Sequence, residues 1–205
     1  MSTVLQKRGS GTYEVGKILE SLNSPYIMKV YSYDPVTDTS FFPEIPGVLM
    51  IDIMDELSLN DILLIYIQLM EFFIESFPKL HWIQYDFGPH NIIITNQKVQ
   101  LYVPQCNRVI SSDYLPVIID IDEEIDFNVS DKTAINMFKS NFSMEAENTD
   151  EDLDLDLSTL SISEVKKIGK KELLSSIFLK LTYIQETSFI GYANQAIQIM
   201  CSYLS

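Results

Sequence analysis

The most apolar stretch of the chain runs from Ile62 to Ile74, 13 residues interrupted only by Gln68 and Glu71. A membrane span needs roughly 20 such residues, so this segment reads as a core helix of a soluble protein. Ser58 or Asn60 is placed to cap it, Asp61 sits near its positive end, and Pro78 is expected to close it near Phe77. A helix this apolar must be covered on most sides. With 46% hydrophobic residues in 205, the chain can build that cover as one domain or one domain in two lobes.

Short β-branched and aromatic runs surround the helix. Glu14 to Leu22 carries Val15, Ile18, Leu19 and Leu22 at helical spacing, and Asn23-Ser24-Pro25 ends it. Tyr26 to Tyr33 and Val48 to Met54 read as strands, separated by a turn-rich loop from Asp34 to Pro46. Trp82 to Asn91 reads as a loop. Ile92 to Ile94 and Val99 to Val103 read as a hairpin, Pro104 to Tyr114 as a polar connector, and Leu115 to Ile121 as a buried strand ending in carboxylates. Two helical segments are expected near Ser163 to Tyr183 and Ser188 to Tyr203. Between them and the strands, Glu145 to Asp156 holds seven acidic residues in twelve and reads as a solvated insertion (about 143–158). Its Asp152, Asp154 and Asp156 are spaced like a calcium loop, but Leu157 and Ser163 stand where that loop needs glycine and a bidentate glutamate.

Charge narrows the partners. Lys and Arg total 14 against 29 Asp and Glu, a formal charge of −15, which disfavours nucleic acid and anionic membrane surfaces. Cys106 and Cys201 are the only cysteines, too few for a disulfide framework or a four-ligand zinc site. They are expected as buried thiols in a reducing, cytoplasmic setting. The N-terminal residues lack the apolar run of a signal peptide.

One constellation carries chemistry. Tyr85-Asp86-Phe87-Gly88-Pro89-His90-Asn91 leads into Ile92-Ile93-Ile94, and Val117-Ile118-Ile119 leads into Asp120-Ile121-Asp122. Phosphoryl transfer from ATP needs a carboxylate to orient the attacking hydroxyl and oxygen ligands to hold Mg²⁺ on the phosphates. An Asp and an Asn five residues apart, followed by a strand and a second Asp at the end of another apolar run, supply these in order. Carboxylate-held Mg²⁺ also reconciles an acidic chain with a polyphosphate.

This pattern resembles the protein kinase superfamily, whose catalytic loop reads His-Arg-Asp-x-x-x-x-Asn and whose metal loop reads Asp-Phe-Gly. The resemblance implies an α+β fold: a reduced N-lobe over residues 1–56, with a few antiparallel strands and one helix, and a mainly helical C-lobe over 57–205. It implies Asp86 as catalytic base, Asn91 and Asp120 as magnesium ligands, and ATP with Mg²⁺ as cofactors. Asp122 reads either as a further metal ligand or, with Glu123, Glu124 and Asp126, as a solvated acidic turn. Upstream, Lys17 to Tyr31 looks like the end of the family's αC helix and its next strand, with Glu14 near the αC glutamate. Leu49 to Leu59 looks like the hinge, placing Ile51 as gatekeeper and the Asp52 and Met54 backbone against adenine. Lys7 is the candidate phosphate-anchoring lysine, though a solvated lysine is the plainer reading.

The departures are equally specific. Gln84-Tyr85 stands for His-Arg, Ile121-Asp122 for Phe-Gly, and neither a Gly-x-Gly-x-x-Gly loop nor an Ala-Pro-Glu is present. Three functions follow from the resemblance: a Ser/Thr protein kinase acting on a protein hydroxyl, a pseudokinase that engages a protein partner, and a small-molecule phosphotransferase. The last is suggested by Asp120-Ile121-Asp122, which looks like the strand end of the kinase-like sugar, choline and aminoglycoside phosphotransferases. His81 and His90 read as hydrogen-bonded spacers.

Overall fold

The computed structural model describes residues 4–8, 10–120, 127–149 and 169–204. It is an α+β structure of small antiparallel sheets and helices. The chain opens with strand β1 (Val4–Arg8) and helix α1 (Ser10–Glu20). Strands β2 (Ser32–Asp34) and β3 (Thr39–Pro43) follow, and the first sheet has the order β1-β3-β2, with Lys7 opposite Ser40. Helix α1 buries Thr12, Val15, Gly16 and Leu19, one stripe at helical spacing. Gly16 is required by proximity: a Cβ there would collide with the Val30 side chain. Asn23, in the left-handed region at φ 47°, turns the chain away after α1.

Two residues of strand β4 (Val48–Leu49) pass directly into a short helix α2 (Met50–Ile53). The hinge strand expected over Val48 to Met54 is therefore corrected to two strand residues and one helical turn. The cause is non-local. The Lys170 ammonium donates to the carbonyls of Met54 (3.1 Å), Asp55 (2.7 Å) and Leu57 (2.9 Å), gathering the chain just after that turn.

Helix α3 (Leu59–Leu80) is the axis of the core. Ser58 caps it through a reciprocal pair: its hydroxyl accepts from the Asp61 N–H at 3.1 Å, while its own N–H donates to the Asp61 carboxylate at 3.2 Å. Ile62, Leu63, Ile65, Tyr66, Ile67, Leu69, Met70, Phe72, Phe73 and Phe77 are all buried, a wide apolar face that leaves only a narrow outer stripe with Glu71, Glu75 and Lys79. Gln68 is buried among them because its amide donates to the Tyr114 and Leu64 carbonyls. Pro78 does not close the helix, which continues through Leu80 until His81 takes a left-handed conformation.

The remaining strands pair differently from the expected hairpin. Strand β5 (Ile92–Thr95) is central in the order β4-β5-β8, paired with β8 (Leu115–Ile118) in the register Ile92↔Ile118. Strand β6 (Val99–Val103) pairs with β7 (Arg108–Ser112), which lies within the expected connector. Every residue of β5 is buried, so a central place suits it better than an edge. The strand expected at Tyr26 to Tyr33 reduces to a single parallel bridge, Ile27 to Ile118, and the start of β2. The loop expected from Asp34 to Pro46 contains β3.

Helix α4 (Asp131–Thr149) packs against α5 (Lys170–Thr182) and α6 (Phe189–Tyr203). The start of the expected acidic insertion is thus helical, with Ala146 buried, and residues 150–168 lie outside the described residues. No helix among the described residues is long and apolar enough to cross a membrane.

Candidate functional site

The loop from Gln84 to Asn91 is held by its own sequence. Phe87 is buried to 2% and seats its ring among Phe138 (centroids 4.3 Å apart), Phe142 (5.8 Å) and Phe73 (6.2 Å). That anchor leaves its neighbour Asp86 turned outward, with its side chain 45% exposed. The Asp86 carboxylate accepts the Gly88 N–H at 3.2 Å on one oxygen and faces His90 Nε2 at 2.8 Å with the other. Gly88 is the residue that fits here. A Cβ would stand 2.8 Å from the His90 ring and 3.2 Å from the Asp86 carboxylate.

Asn91 is buried, and its Nδ2 donates to the Asp86 carbonyl at 3.1 Å. An amide that spends its nitrogen this way presents its oxygen as an acceptor elsewhere. Asn91 also holds the backbone just ahead of Asp120, because its backbone carbonyl accepts the Ile119 N–H at 2.9 Å. The Ile92↔Ile118 pairing continues that join. Gln84, 1% exposed, donates from Nε2 to the Asp120 carbonyl at 3.1 Å. Asp120 has φ 54°, a left-handed conformation that Asp tolerates better than most side chains. The Asp86 loop and the two residues after β8, Ile119 and Asp120, are thereby stapled together by Gln84, Asn91 and the strand ladder. Gln84 thus has a specific structural role, the hydrogen bond to the Asp120 carbonyl.

A cavity of about 440 Å³ lies against Asp86, walled by Ile51, Met54, Ile62, Met144 and Leu174. Its polar lining includes His90, Asn141 and Glu145 from α4. Asn141 donates from Nδ2 to the carbonyls of Tyr85 (3.0 Å) and Met137 (2.9 Å), tying α4 to the residue before Asp86. Burial pushes the Glu145 carboxyl up to about 6; the nearby His90 opposes the shift and Asp86 adds to it. The two lysines at the rim are engaged, Lys170 by the three carbonyls and Lys171 by Asp55 at 3.2 Å.

The sequence-derived residues divide accordingly. Asp86, Asn91 and Asp120 are brought to one neighbourhood. Ile51 and Met54 share the Asp86 cavity, but on a helical turn and its exit rather than along a strand. Asp52 lies inside α2 and is exposed, without the extended backbone that would turn its amide toward an adenine. Glu14 is exposed on α1, and among the described residues no hydrogen bond or ion pair joins it to the Asp86 loop. Lys7 belongs to β1, while its side chain and all of Asp122 lie outside the described residues. Glu145, Asn141 and the staple made by Gln84 were missed. Asn141 had a signal: it interrupts the face formed by Ala134, Phe138 and Phe142, where a buried amide must find partners.

Among the described residues, no three His, Cys, Asp or Glu side chains converge as a metal cage. Mg²⁺ takes hard oxygen ligands and commonly relies on one or two carboxylates, completing its shell with phosphate and water. The Asn91 amide oxygen and the Asp120 carboxylate are ligands of that kind. No family model and no curated protein matches this chain.

Proposed function

We propose that the chain is an ATP- and Mg²⁺-dependent phosphotransferase of protein-kinase type, with Asp86 as base and Asn91 and Asp120 as metal ligands. The observation that carries the reading is the double staple, Asn91 to the Asp86 carbonyl and Gln84 to the Asp120 carbonyl. It ties the backbone at Asp86 to the Asn91 amide and the backbone at Asp120 to the same loop, across 34 residues of sequence. Asp86 is exposed enough to meet an acceptor hydroxyl, orient its oxygen toward the γ-phosphorus and take its proton as the bond to the ADP oxygen breaks. Bound Mg²⁺ supplies neutralisation of the phosphate charge. The first acceptor class is a protein Ser/Thr hydroxyl.

The cavity favours a second reading for the acceptor. At about 440 Å³ it falls within the few-hundred-Å³ range of small-molecule pockets, and it opens directly on Asp86. A small alcohol with an apolar body fits those walls as well as a peptide side chain does.

The test is transfer of the γ-phosphate from labelled ATP with Mg²⁺, to a panel of peptides and small alcohols. Asp86→Asn keeps the loop's shape and is expected to lower transfer by about 100-fold or more. Equal transfer by the variant removes Asp86 from the chemistry. A chain that binds Mg²⁺-ATP yet transfers to nothing on the panel supports the binding-module alternative.

A further inference from the structure

The two cysteines meet in the fold, away from the Asp86 cavity. Cys106 ends the short 3-10 turn Pro104–Cys106 between β6 and β7, and Cys201 lies in the last turns of α6. The turn packs directly on α6. Gln105 Nε2 donates to Asn194 Oδ1 at 2.7 Å, holding the two elements in place one residue before the thiol. The sulfurs are 2.9 Å apart, with Cys201 donating to Cys106 and Cys106 to the Val103 carbonyl at 3.7 Å. A disulfide bond is about 2.05 Å long, so closure needs a movement of roughly 0.9 Å, within the reach of side-chain torsions. Two thiols brought this close by elements 95 residues apart in sequence are not a neighbour effect of the chain.

We propose that Cys106 and Cys201 form an oxidation site that a peroxide closes into an intramolecular disulfide, stapling the 104–106 turn to α6. Cys106 is half-buried and Cys201 buried, which sets the order of events. Hydrogen peroxide oxidises the Cys106 sulfur to sulfenic acid, and one water leaves. The Cys201 sulfur then attacks the Cys106 sulfur. The S–S bond forms, the S–O bond breaks, and the hydroxyl leaves with the Cys201 proton as a second water. Two thiols lose two electrons, and one peroxide gains them. Burial, and then the hydrogen bond to Cys106, pushes the Cys201 thiol up to about 12. It therefore reacts as the resolving partner rather than as the first target.

The full-length protein is treated with stoichiometric hydrogen peroxide, remaining thiols are alkylated, and intact mass and a peptide map are recorded. The expected product is monomeric, has lost two hydrogens, takes up no alkylating agent and yields a Cys106–Cys201 cross-linked peptide. Its Tm is expected to rise by about 5 °C or more, since closing a loop of this length constrains the unfolded chain, and to return on reduction. In Cys201→Ser, Cys106 is expected to stop at a sulfenic acid that a dimedone probe traps. In Cys106→Ser, Cys201 is expected to stay unmodified. The proposal is overturned if wild type accumulates a sulfinic or sulfonic acid at Cys106 while Cys201 still alkylates, or if the product is a dimer linked through Cys106. None of these readouts depends on phosphotransfer.

Discussion

Truncating Phe87 to alanine separates the anchoring of the loop from the chemistry of its neighbour. The ring is 2% exposed and lies within 6.2 Å, centroid to centroid, of three other phenylalanines on α3 and α4. Removing a buried phenylalanine ring costs about 3–5 kcal/mol through lost transfer energy and the residual cavity. The upper half of that range applies here, because the three remaining aromatic rings cannot collapse into the void without leaving their rotamers. Phe87→Leu retains most of the volume and is expected to cost about 1–1.5 kcal/mol. Urea unfolding followed by fluorescence gives both values, and the alanine variant should melt about 8–20 °C lower. Phosphotransfer, measured where both variants are folded, is expected to fall further in Phe87→Ala than in Phe87→Leu, because the looser anchor lets Asp86 leave its hydrogen bonds. A cost below about 1 kcal/mol for the alanine variant would mean the ring does not sit in the core, and the account of why Asp86 faces outward would fail.

Three other outcomes are expected. Glu145 has its folded pKa raised to about 6 from 4.5, so its proton stabilises the fold at low pH, and that contribution is lost as pH rises through about 6. Glu145→Gln should therefore stabilise the protein by roughly 1 kcal/mol at pH 8, after discounting for partial solvent screening, and by less at pH 5. A pH-independent difference in urea midpoints would contradict this. Lys170→Met abandons three carbonyls behind α2 and should cost about 2–3 kcal/mol; an unchanged midpoint would show that the lysine does not shape that turn. Asn91→Ala removes the donor to the Asp86 carbonyl and should cost about 1–2 kcal/mol in stability while abolishing any Mg²⁺ dependence of nucleotide binding.

What could be read in advance was local. The cap, which the sequence leaves between Ser58 and Asn60, falls on Ser58, and α3 and the strand before Asp120 exist as local pattern suggests, although the helix runs three residues past Phe77 and the strand stops at Ile118 rather than Ile121. What failed was non-local. Val48 to Met54 has the composition of a strand, yet Lys170, over a hundred residues away, gathers the carbonyls that follow its helical turn. The runs at Ile92 and Val99 are neighbours in sequence, but full burial sends β5 between β4 and β8 and leaves β6 to find β7. Helix α4 has a weak pattern in the sequence because its buried face is interrupted by Asn141 and its end runs into an acidic stretch. Glu145 belongs by composition to that acidic stretch, and only the packing of α4 beside the Asp86 loop gives it a place at the cavity.

On the proposed reading, Asp120 and Asn91 hold a metal on a nucleotide beside Asp86. Thermal melting of wild type and Asp120→Asn, with ATP in the presence and absence of Mg²⁺, tests it most directly. Asparagine tolerates the left-handed backbone at this position and keeps the carbonyl that Gln84 binds, so the fold is retained. Wild type is expected to gain a Mg²⁺-dependent rise in Tm that grows with ATP concentration, and the variant is expected to lose it. A rise of the same size in both proteins, or none in wild type at millimolar ATP, would contradict the assignment.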